Sequence, residues 1–125
     1  MTIALSQIRQ IAVTVRNLDR ALVFYRDRLG MKFLFQAGAL AFFDCGGVRL
    51  MLSVPEKPEF DHPTSILYFD VADIHAATAA LGGEGVKFES QPQVIARMPA
   101  HDVWLAMFRD SENNLLGLMS ELPRA

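Results

Sequence analysis

The chain carries one β-hairpin pattern twice, and that repetition narrows the choice of fold more than any other feature. Phe42, Asp44, Leu50 and Leu52 recur as Phe108, Asp110, Leu116 and Leu118, each 66 positions later. Residues 101–119 read as an apolar run, a polar turn from Asp110 to Asn114, and a second apolar run. Asp, Ser and Asn suit such a turn because their side chains bond nearby backbone, and Asn and Asp tolerate left-handed dihedrals. A second register links the starts of the two copies. Ile11, Val15, Leu18 and Ala21 recur as Leu67, Val71, Ile74 and Ala77, 56 positions on. Two registers that agree on element order point to a duplicated unit.

Taken in order, residues 8–15 alternate, with Ile11, Val13 and Val15 on one side. A period of two predicts a strand with one dry face. Asn17 can cap the helix that follows. Leu18, Ala21, Leu22, Tyr25 and Leu29 form its apolar stripe, and Gly30 closes it. Residues 31–36, 40–45 and 48–54 predict three short strands, punctuated by glycines. Residues 55–64 hold Pro55, Pro58 and Pro63, cannot continue a sheet, and read as a linker. Residues 65–71 predict a strand, and Asp73 caps a second helix ended by Gly82 and Gly83. Residues 86–89 and 94–97 predict one strand bent around Pro92, before the hairpin of residues 101–119. The expected organisation is one α+β domain over residues 1–125. It contains two βαβββ modules, 1–54 and 65–125, joined by 55–64.

Composition sets the outer limits. Half the residues are apolar and the formal charge is −2, so a globular chain without a nucleic-acid footprint is expected. Lone Cys45 excludes an internal disulfide and suits a reducing compartment. It reads as an inert, partly buried thiol. Residues 1–10 lack the features of a secretory signal, and no apolar run is long enough to span a bilayer. A cytoplasmic location is expected.

Two stretches resemble a known superfamily. Residues 15–30, VRNLDRALVFYRDRLG, match the pattern V-x-D-L-x-x-A-x-x-F-Y-x-x-x-L-G with Asn17 for Asp. Residues 108–114, FRDSENN, resemble F-x-D-P-D-G-N with Ser111, Glu112 and Asn113 at the differing places. The chain thus resembles the vicinal-oxygen-chelate superfamily, which includes glyoxalase I, bleomycin-resistance proteins and extradiol dioxygenases. The resemblance implies two curled mixed sheets around a cavity, and commonly a homodimer.

Metal-dependent members grip a divalent ion with four side chains from four strands. The resemblance carries those positions onto Gln10, Met51, Ile66 and Gly117, and the two internal offsets agree with that register. Only Gln10 offers an oxygen. A thioether, a branched alkane and a hydrogen are poor partners for a hard divalent ion. No metal site and no cofactor are expected, and a metal enters only if the register is wrong. His62, His75 and His101 share no ligand spacing.

Strand parity adds a separate expectation. One face is aliphatic and suits the helices. The other carries Gln10, Arg49, Met51, Ile66, Tyr68, Gly117 and Met119, the mixture of a small-molecule pocket. Arg49 can clamp a carboxylate or phosphate, or pair with Asp70 or Glu121. Tyr68 can relay a proton, or be a hydrogen-bonded core tyrosine. Arg97, Met98, His101, Asp102 and Trp104 form the expected pocket mouth, with Phe108 on the parity of Trp104 as a further ligand-binding candidate, or else a salt-bridged loop with Trp104 in the core. His101 and Tyr68 are the candidate catalytic groups, with Asp102 able to orient His101. The expected function is binding or sequestering a small apolar or aromatic molecule with a polar or anionic group. The alternatives are a glyoxalase-like lyase, isomerase or dioxygenase with divergent ligands or metal-free acid–base chemistry, and a structural partner protein. Neither a nucleic acid nor a membrane is expected as partner.

Overall fold

The computed structural model describes residues 3–124. The chain divides into two compact units, residues 1–64 and 65–125. Each has a four-stranded mixed sheet with helical structure packed on one face.

In the first unit, β1 (Gln10–Thr14) leads into α1 (Leu18–Val23), and β2 (Lys32–Ala37), β3 (Leu40–Cys45) and β4 (Val48–Ser53) follow. The sheet order is β1-β4-β3-β2, with β1 parallel to β4 and the other pairs antiparallel. Asn17 starts α1 by accepting a hydrogen bond from the Arg20 amide at 3.0 Å. The stripe expected to be one helix continues beyond α1 as a π-helical turn, Phe24–Arg28. Its ladder slips by one residue, so the Leu29 amide reaches the Phe24 carbonyl. Adjacent Phe24 and Tyr25 are both buried there, edge to face at 5.7 Å. Val13, Val15, Ala21, Leu22, Tyr25, Phe43, Leu50 and Leu52 fill the core between helix and sheet.

The second unit repeats the plan. β5 (Leu67–Asp70) precedes α2 (Ile74–Gly83), and β6 (Gln93–Arg97), β7 (His101–Arg109) and β8 (Leu115–Pro123) follow. The order is β5-β8-β7-β6, with β5 parallel to β8. Asp73 caps α2 through the amides of His75 and Ala76. Ile74, Val86, Ala106, Phe108, Leu116 and Leu118 form the core. The bent strand expected around Pro92 is shorter than the pattern implied. β6 begins only after Pro92, and residues 86–89 contribute one bridge, Phe88 to Phe108. A proline at the entry removes a ladder donor.

Both edge strands β2 and β6 are bulged, at Leu34 and Ile95 respectively. A bulge blunts an exposed edge. At Leu34 it also changes which way side chains aim. Phe33 and Phe35 are two apart and would share a face in a regular strand. Instead Phe33 pairs with core Phe43, and Phe35 pairs with Phe42 on the opposite face.

The stretch 55–64 is fastened to the first unit as a strap. Thr14 receives the strap at both ends of its residue, its amide donating to Thr64 Oγ1 at 2.9 Å and its hydroxyl to the His62 carbonyl at 3.2 Å. Arg16 clasps Asp61 in bidentate fashion at 2.7 and 3.1 Å. That hydrogen bond and the charge behind it hold the Asp61 carboxyl below the usual range. A short 3-10 turn, Pro58–Phe60, lies within the strap.

The repeated hairpin turns use the same device at different strength. Asp110 Oδ1 accepts from the Glu112 and Asn114 amides, both at 2.8 Å, and Oδ2 accepts from Asn114 Nδ2 at 2.9 Å. Asp44 accepts from the Gly47 amide at 3.2 Å. Gly47 and its counterpart Asn113, 66 positions on, both have positive φ, 90° and 68°. Asp110→Ala should therefore lower unfolding free energy by about 2 kcal/mol, because three partly buried donors lose a buried acceptor. Asp44→Ala should cost roughly 1 kcal/mol or less. Urea denaturation of the two variants checks the difference.

Candidate functional site

The sheet face away from α1 carries its side chains in three cross-strand rows, fixed by the strand register. The first is Gln10, Arg49, Asp44 and Lys32. The second is Ala12, Met51, Phe42 and Phe35. The third is Thr14, Ser53, Leu40 and Ala37. Polarity therefore falls from one end of the face to its middle, and the strap covers the far end.

Arg49 dominates the first row. Its Nε donates to Gln10 Oε1 at 2.7 Å, and its Cζ lies 5.5 Å from the Phe42 ring centroid. Gln10 completes the chain with Nε2 at 3.6 Å from Met51 Sδ. Phe42 stacks on Phe35 at 4.5 Å with planes 26° apart. Phe42 is covered, at 8% exposure, whereas Phe35 is half exposed at 47%. The guanidinium is thus oriented by an amide and an aromatic ring, and it forms no ion pair among the described residues. Asp44, directly across the ladder, is turned onto the Gly47 amide instead. Its Nη groups have no hydrogen-bond acceptor among the described residues.

At the other end, the strap forms one wall of a half-open cavity of about 320 Å³ beside the third row. Ala12, Leu40 and Met51 form its apolar floor and Phe60 is on the strap side. Thr14, Ser53 and His62 supply the polar groups.

The open face of the second unit is built differently. Tyr68, Gly117 and Met107 form one row. A Cβ on Gly117 would lie 2.7 Å from Tyr68 Cδ1, so the tyrosine ring occupies the place of a side chain at 117. Tyr68 itself is half exposed, at 50%. Ile66 precedes β5 and is also exposed. His101 shares the parity of Tyr68 but sits six residues down β7 from Met107. That is roughly 20 Å along the strand, so the two candidate catalytic groups are not brought together. Glu121, not Asp102, faces His101, with Nε2 3.6 Å from a carboxylate oxygen. Asp102 points to the other side of β7, as a neighbour in a strand must. There it is buried and clasped by Arg97 at 3.1 Å and Arg124 at 3.0 Å. Trp104 and Phe108 also take the helix side. His75 of α2 meets Trp104 edge to face at 4.8 Å, and Phe108 is fully buried against Phe88. The grouping expected as a pocket mouth therefore splits between two faces. Cys45 is half-buried, and burial with neighbouring Asp44 pushes its thiol up, away from the reactive thiolate.

Phe35, Phe42 and Leu40 lie on this face and Phe60 lines the cavity beside it, although none of them is among the site residues expected from sequence. The Phe42–Phe43 doublet was the available signal, since adjacent strand residues face opposite ways. The bulge that turns Phe35 outward leaves no comparable mark.

Residues 7–118 match the model of the Glyoxalase/Bleomycin resistance protein/Dioxygenase superfamily. The chain belongs to this superfamily. None of the curated proteins compared with it matches by sequence. Among solved structures, a lactoylglutathione lyase from Agrobacterium tumefaciens aligns with TM-score 0.71 and 22% identity, covering 92% of this chain and 93% of that one. A glyoxalase/bleomycin resistance protein/dioxygenase from Alicyclobacillus acidocaldarius gives 0.73, 18%, 92% and 91%. A protein from the mobile metagenome of V. Pseudocholerae gives 0.78, 19%, 96% and 98%. At these identities the likeness is one of fold.

The superfamily's metal donors do not fit here. The Gln10 oxygen is occupied by a guanidinium, whose charge would repel a divalent ion at that oxygen. Met51 presents sulfur, Ile66 presents hydrocarbon, and Gly117 has its side-chain space filled by Tyr68. Among the described residues no cluster of three or more His, Cys, Asp or Glu could hold an ion. No helix among them is long and apolar enough to cross a membrane.

Gly117→Ala should displace the Tyr68 ring and cost about 1 kcal/mol. In Gly117→Ala/Tyr68→Ala the two changes should couple by about 0.5 kcal/mol or more, as a double-mutant cycle in urea would show.

Proposed function

We propose that this superfamily member binds a small aromatic or apolar molecule through an anionic group, with Arg49 as the anchor. The supporting observation is the guanidinium fixed between Gln10 and Phe42, without a carboxylate partner and beside half-exposed Phe35. A pre-oriented guanidinium loses little freedom when it takes up a carboxylate, and an aromatic wall beside it favours a flat ligand. Metal-dependent lyase, isomerase or dioxygenase chemistry draws less support, because the four carried-over positions offer one oxygen and that one is engaged. Sequestering, rather than turnover, also draws support from the second unit, where the candidate catalytic groups Tyr68 and His101 stand far apart along the sheet.

Thermal melting in EDTA with aromatic carboxylates tests the reading, since a ligand that binds only the folded chain raises Tm. Benzoate-type acids should raise Tm, whereas the corresponding uncharged amides should do so much less. Arg49→Gln should weaken the acids by about tenfold or more, the worth of a charge-assisted hydrogen bond. Its own Tm should stay near that of the parent because Arg49 is exposed. Acids without effect, or stoichiometric metal in protein purified without chelator, would overturn the reading.

A further inference from the structure

The anion anchor and the strap cavity lie on one face, with Met51 between them. Met51 is bonded to the Arg49–Gln10 pair through its sulfur and also lines the cavity. Successive rows are two residues apart, so Arg49 and Ser53 are separated by roughly 13 Å of strand. The surface between them is apolar: Ala12, Met51, Phe42 and Leu40. Beyond it Phe60 of the strap lines the same cavity. The charges at the cavity rim, Glu56 and Lys57, are adjacent and opposite, so that end has no net call for an anion.

From this layout we infer that the ligand is an elongated amphipathic acid. Its carboxylate rests on Arg49, its flat part beside Phe35, and an alkyl tail crosses Met51 into the cavity beside the strap. The inference rests on the Arg49 reading above and adds a length, a direction and a second subsite. The cavity of about 320 Å³ is at the small end of ligand pockets, which suits a tail rather than a whole polycyclic molecule. The strap is held to β1 by its own hydrogen bonds, so the wall it forms is in place before any ligand arrives.

Isothermal titration of the full chain with benzoate, 4-ethylbenzoate, 4-butylbenzoate and 4-hexylbenzoate tests this. Affinity should rise roughly twofold to fourfold per added methylene, making the butyl acid about tenfold or more tighter than benzoate. Phe60→Ala removes part of the cavity wall, and Ala12→Trp fills the cavity from the sheet side. Phe60 and Ala12 are both exposed, so neither change should unfold the chain. In each, the butyl-to-benzoate affinity ratio should fall several-fold. If benzoate binds but the longer acids bind no tighter, the Arg49 reading survives and this inference fails. If the ratio is unchanged in both variants, the tail lies elsewhere and the inference fails. If no acid binds, benzoate included, both fail together.

Discussion

The parallel pairing of β1 with β4 sets Gln10 beside Arg49, and the character of the open face follows from that adjacency. A glutamine amide can accept from a guanidinium and still donate elsewhere. Here it does both, tying the arginine to Met51 across two strands. The result is a fixed positive group on a sheet face that is otherwise apolar in its middle. An unanchored arginine on that strand would spread over many rotamers, and the entropy of ordering it would fall on the ligand.

The face works as a gradient because strand register sorts residue types into rows. Charge collects in the row of Arg49, aromatic and thioether surface in the row of Phe42, and small polar groups in the row of Thr14. The strap borders the last row and leaves the first open. Its fastening draws on Thr14, a residue of the sheet itself, and on the exposed Arg16–Asp61 pair. The two bonds at Thr14, each pairing a backbone group with a threonine hydroxyl, carry more of that fastening, since an exposed ion pair contributes little.

Much of this was legible in the chain. The offsets between Asp44 and Asp110 and between Ile11 and Leu67 gave the duplicated module. Alternation along residues 8–15 gave the face of β1, and Asn17 and Asp73 were readable as helix caps. The four carried-over metal positions depended on the same parity, and Gln10 and Met51 do share one face. What was hidden is what periodicity does not encode. A bulge at Leu34 inverts the parity of Phe35, and a slipped ladder at Phe24 turns an apparently regular helix into a π-helical turn. Trp104 and Phe108 are expected at the pocket mouth with His101, although Phe108 pairs with Leu116 and so must share its buried side. The segment rich in proline was read for what it cannot do in a sheet, not for what its backbone could fasten to.

The hydrogen at position 117 has a consequence for how such a chain can change. Tyr68 has moved into the volume that a donor side chain there would need. A single substitution that restored a histidine or carboxylate at 117 would collide with an aromatic ring before it could serve any ion. Gln10 would have to release its arginine as well. Building an ion site on this scaffold thus asks for several concerted replacements, because the space at 117 and the oxygen at Gln10 are both already in use.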